Sequence, residues 1–114
     1  MLLQAALEEA GYAVLSATRG EEALQHLDKR RDEVCGLITD VDLGGDKSGW
    51  DVARHAREIL PGMPIIYITG GSANAWSAQG VPGSVLVAKP FAPAQITSAI
   101  SSLLNISTPQ QSSE

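Results

Sequence analysis

The chain has 114 residues, 44% of them apolar, which suits a single domain whose core is covered on two faces. Its formal charge of -5, with eight Lys and Arg interleaved among thirteen Asp and Glu, excludes the clustered basic footprint of a nucleic-acid binder. A lone cysteine, Cys35, excludes an intrachain disulfide and a Cys-based metal cluster. No apolar stretch nears the roughly 20 residues of a spanning helix and no basic secretion signal opens the chain, so a soluble cytoplasmic protein is expected.

In chain order, Leu3, Ala6, Leu7 and Ala10 predict an opening helix that Gly11 stops in a left-handed turn. Tyr12 to Ala17 reads as a short strand, and Thr18 with Glu21 reads as a capping box leading into a helix through Ala23, Leu24 and Leu27. The apolar run from Val34 to Thr39 predicts a strand ending at Asp40, with Cys35 buried in it as small apolar filler. After a Gly-rich loop, Val52, Ala53, Ala56, Ile59 and Leu60 predict a helix that Pro61-Gly62 ends, before a strand from Ile65 to Thr69.

Between Gly70 and Gly80 the helix signal is weak, because Gly70, Gly71, Ser72, Asn74 and Ser77 are poor interior residues; a short helix is expected. A strand from Ser84 to Ala88 then leads through Lys89-Pro90-Phe91 into a helix opened by Pro93 and faced by Ile96, Ala99, Ile100, Leu103 and Leu104. Residues 107–114 are nearly devoid of apolar side chains and read as a disordered tail behind a folded unit of residues 1–106. Near-continuous apolar strands alternating with helices imply a parallel sheet covered on both faces.

Three of these strands end in chemistry: Asp40, Thr69 and Lys89 put an acid, a hydroxyl and an amine at one carboxyl rim, where open α/β sheets bind ligands. Together with Gly11-Tyr12-x-Val14, Gly20-Glu21-Glu22-Ala23-Leu24, Thr39-Asp40-Val41-Asp42-Leu43, Gly49, Ile66-x-Ile68-Thr69-Gly70 and Lys89-Pro90-Phe91, their order and spacing resemble bacterial two-component response regulator receiver domains. The resemblance covers residues 1 to about 105. It implies a flavodoxin-like doubly wound parallel α/β sheet of strand order 2-1-3-4-5.

It also implies that Asp40 is a phosphoacceptor, serving a histidine kinase or phosphotransfer protein in a phosphorelay. Lys89 and Thr69 become the phosphate's partners, and Mg²⁺ the expected cofactor, held by Asp40, the Asp42 backbone carbonyl and an acidic pair. The family's Lys-Pro bond is cis and aims the lysine inward. Such a module is a signalling domain and not an enzyme beyond self-catalysed phosphoryl transfer and autodephosphorylation.

Two departures stand out. The family's first strand and its acidic pair are absent, because the chain begins inside the first helix; we expect an upstream start, and weak Mg²⁺ binding by the chain as it stands. Losing that strand would expose backbone groups on both its neighbours, unless a homodimer or rearrangement closed the gap. Leu86 occupies the place of the family's switch aromatic, so that switch cannot work in its usual form.

The remaining polar and aromatic residues carry weaker signals. Asp46 and Asp51 read as solvated loop or helix-start acids, His26 and His55 as solvated helix residues, and Trp50 and Trp76 as half-exposed packing or a docking surface. The rival functional reading is a phosphorylation-independent pseudo-receiver. A flavin- or nucleotide-binding relative of the same architecture is disfavoured, since no Gly-rich phosphate loop joins a first strand to its helix.

Overall fold

Three of the apolar runs that end in a polar residue form the sheet of the computed structural model, which describes residues 2–43, 45–71 and 73–107. Strand β1 (Leu37–Asp40), β2 (Ile65–Thr69) and β3 (Val85–Ala88) lie parallel in the order β1-β2-β3. Leu37 is level with Ile65, and Ile66 with Val85. The central strand is buried along its whole length, as continuous Ile-Ile-Tyr-Ile requires.

Helices cover both faces. On one side α2 (Gly20–Lys29) and α3 (Gly49–Ile59) bring Leu27, Trp50, Val52, Ala53 and Ala56 against Ile65 and Tyr67. On the other, α1 (Leu2–Glu9) and α5 (Pro93–Ser107) bring Leu7, Ile96 and Ile100 against Ile66, Ile68 and Val87. The even and odd residues of β2 thus serve separate cores, as a strand's alternation demands. A short 3-10 turn (Ala73–Ala75) and α4 (Trp76–Gln79) supply the segment expected to be only weakly helical.

The helix ends follow the sequence closely in places. Gly11 has φ 100°, and the bonds from Gly11 N–H to Glu8 O and from Tyr12 N–H to Leu7 O close the left-handed stop of α1. Pro93 opens α5, and the Gln95 side chain reaches back to accept from the Ala92 N–H at 2.7 Å. The predicted Thr18–Glu21 box does not form. Arg19 is the N-cap of α2 without a side-chain bond, Glu22 accepts from the Thr18 N–H at 3.0 Å, and Glu21 turns to the loop after β1.

Two strand expectations are corrected. Residues 12–17 form no ladder, because the described residues offer them no neighbouring strand; the segment nevertheless keeps its alternation, with Tyr12 and Val14 packed on the second core and Ala13 and Leu15 exposed. The other edge of β1 likewise has no partner among the described residues. Cys35 is exposed and precedes β1, since pairing begins only where Leu37 N–H meets Pro64 O. The tail expected from residue 107 falls mostly outside the described residues, while Ser107 itself closes α5.

Candidate functional site

Parallel strands all end on the same side, so Asp40 as the last residue of β1, Thr69 as the last of β2 and Lys89 just past β3 share one rim. Register sharpens this: Asp40 is level with Ile68, Thr69 is level with Ala88, and the Lys89 N–H donates to Thr69 O at 2.8 Å. The Lys89–Pro90 peptide is cis. The Lys89 ammonium lies 2.9 Å from Asp40 Oδ1.

That contact is a pairing of charges more than an aligned hydrogen bond, because Oδ1 is sealed from solvent and no donor is aligned on it. The carboxylate and ammonium side chains as wholes are 44% and 50% exposed, so a small reagent can reach them. Thr69 is buried at 2% exposure, and its hydroxyl oxygen accepts from the Gly71 N–H at 3.2 Å.

The loop after Asp40 is held from several directions. Val41 is buried and extends the pairing to Ile68 O, and the Gly49 N–H returns to Val41 O at 2.8 Å. A Cβ at Gly49 would sit 2.1 Å from Asp40 O, so only glycine lets α3 start against the acceptor's own backbone. Ser48 and Asp51 form a reciprocal capping box at that start. The Ser48 N–H above all, then its hydroxyl and the Arg54 and Lys47 charges, hold the Asp51 carboxyl below its ordinary value, against some desolvation.

Glu21 grips the loop from α2, accepting from the Asp46 N–H at 3.3 Å. Its own N–H, the Asp46 N–H and Arg19 keep its carboxyl below the usual range despite partial desolvation. Sequence reasoning missed this role, having given Glu21 to a capping box with Thr18. Asp51, expected as a solvated loop or helix-start acid, is a helix-start acid; its capping role went unread, although Ser48-x-x-Asp51 before an apolar run carries that signature.

Other candidates separate. His55 Nε2 lies 2.7 Å from Asp28, and His26 Nε2 meets Ser16 O at 3.1 Å, so each of these helix histidines has a partner. Trp50 is buried against Tyr67, while Trp76 is 36% exposed. The Asp42 and Asp46 side chains are exposed. Among the described residues no three His, Cys, Asp or Glu side chains converge on a common point. Asp40, already facing Lys89, and one loop carbonyl therefore do not fit Mg²⁺, which needs several oxygens.

Comparison with known proteins agrees with this fold. The sequence pattern described as "Response regulator receiver domain" matches residues 1–101. The transcriptional regulatory protein CreB of Escherichia coli K12 is 33% identical over 86% of the chain, and the response regulator receiver protein CpdR of Brucella abortus is 33% identical over 75% of it. The chain spans 42% of CreB's length and 71% of CpdR's. A crystal structure of a response regulator receiver protein from Sinorhizobium medicae superposes with a TM-score of 0.88 at 40% identity, over 92% of this chain and 84% of that one.

Proposed function

This chain belongs to the response regulator receiver family, and from that premise we propose that Asp40 accepts a phosphoryl group from a histidine kinase or phosphotransfer protein and signals through protein contacts. The observation that carries the reading is the 2.9 Å approach of Lys89 to Asp40 at the sheet's carboxyl rim. In the reaction an Asp40 oxygen attacks phosphorus, the phosphorus–nitrogen bond of the phosphohistidine breaks, and its electron pair stays with the imidazole. The product is an acyl phosphate.

The phosphoryl group carries charge on its equatorial oxygens, which positioned donors must meet. Lys89 moves from carboxylate to phosphoryl oxygen with little travel, since the two acceptors share one atom's neighbourhood. The Thr69 hydroxyl, now turned to Gly71, is the second donor. No step is assigned to Mg²⁺, because the described donors do not form its cage.

Asp40 Oδ1, sealed from solvent and already faced by Lys89, favours one second reading, a binding module of the same fold that works without phosphorylation. The experiment is intact-mass measurement after acetyl phosphate, with and without excess Mg²⁺, on the chain and on Asp40→Asn. One phosphoryl adduct lost in the variant supports the acceptor reading; no adduct under either condition supports the second.

A further inference from the structure

The largest fully buried side chain among the described residues is Tyr67, in the middle of the central strand. Its phenolic oxygen accepts a hydrogen bond from the Val81 N–H at 3.1 Å, and its ring lies against Trp50 with centroids 4.6 Å apart and planes tilted by 57°. A phenylalanine would serve the packing equally well. The hydroxyl therefore has a separate task, the hold on Val81.

The backbone and the ring of Tyr67 lead to the Asp40 rim. Tyr67 is level with Thr39, the residue before Asp40, and with Leu86, three residues before Lys89; it shares a sheet face with Thr69 two residues on. Trp50 directly follows Gly49, the residue seated against the Asp40 carbonyl. A shift at the end of β2 or at the start of α3 thus reaches the Tyr67 ring in one contact.

On the far side, Val81 follows the end of α4, and α4 buries no residue of its own. That helix is held by polar ties. Trp76 Nε1 donates to Ser84 Oγ at 2.9 Å, Ser84 Oγ donates to Val81 O at 2.6 Å, Arg54 binds Gln79, and Tyr67 holds the Val81 N–H. Two of these ties converge on Val81, so moving it moves α4.

We propose that Tyr67 is the positioning residue that delivers the state of the Asp40 rim to α4, through its ring contact with Trp50 and its hydroxyl contact with Val81. Leu86, level with Tyr67 on β3, has no polar group to offer, so the tie to Val81 is made from β2. The inference rests on Asp40 as phosphoacceptor. The hold on Val81 can be tested without it.

The test compares the chain with Tyr67→Phe by amide hydrogen exchange at Val81 and by the Trp76 indole N–H resonance before and after acetyl phosphate with excess Mg²⁺, loading being read by intact mass. We expect Val81 exchange roughly tenfold faster in the variant. Loading should be equal in both proteins, and the Trp76 resonance should shift on loading only where the hydroxyl is present. A merely structural tyrosine would lower the melting temperature yet leave that shift intact, which would overturn the proposal, as would unchanged Val81 exchange. If neither protein loads, the acceptor reading fails on its own and Val81 exchange alone decides the hydroxyl's role.

Discussion

Lys89 and Asp40 meet at 2.9 Å although they stand at the ends of strands that do not touch, β3 and β1, with all of β2 between them. The ammonium reaches across the end of the central strand, past Gly70, to face the carboxylate. Substituting Lys89→Met removes the positive partner of the developing phosphoryl charge. We expect the rate of acetyl phosphate labelling to fall about a hundredfold, while stability changes by less than about 1 kcal/mol because both side chains are half exposed. Single-turnover labelling and urea unfolding read the two effects, and an unchanged rate would remove Lys89 from the site.

Gly49→Ala drives a methyl carbon to 2.1 Å from Asp40 O, against backbone that cannot yield as a flexible side chain would. The start of α3 has to move, so a loss of at least about 2 kcal/mol is expected in urea unfolding. A stable Gly49→Ala protein would show that α3 does not lean on the acceptor loop.

The capping box gives a pH signature. In the folded chain the Asp51 carboxyl titrates below its ordinary 3.8, so its contribution is fully present above about that pH and is lost as pH falls through the lower folded value. The stability difference between the chain and Asp51→Asn should accordingly be constant from pH 5 to 7 and shrink below pH 4. With Asp51 43% exposed the effect is modest; Ser48→Ala, which removes the other half of the box, should cost about 1 kcal/mol. A difference that grows toward acid would contradict the assignment.

Mg²⁺ titration by calorimetry should give a weaker affinity than that of a receiver carrying a converging acidic pair, because Asp40 and one loop carbonyl leave most of the ion's sphere to water. An affinity equal to such a receiver's would mean that other oxygens of this chain complete the site.

Much of this was legible beforehand. β2 begins and ends at the residues the apolar run predicts, and the rim of Asp40, Thr69 and Lys89 follows from parallel strands ending together. Gly11 stops α1 because only glycine is comfortable at φ 100°. What escaped depended on partners far away in sequence. Residues 12–17 have strand composition but no neighbour to pair with, and Cys35 lies in an apolar run that starts before its ladder does. Nothing local could show that Glu21 would leave its own helix cap for Asp46, or that the Tyr67 hydroxyl would find the Val81 amide fourteen residues on.

Reductive trapping shows whether Asp40 is the phosphoacceptor. After acetyl phosphate treatment, borohydride converts an aspartyl phosphate to homoserine, and peptide sequencing locates the change. Homoserine is expected at position 40, with no other acid converted and none formed in Asp40→Asn. An unmodified residue 40 in a chain that carries a phosphoryl adduct elsewhere would contradict it.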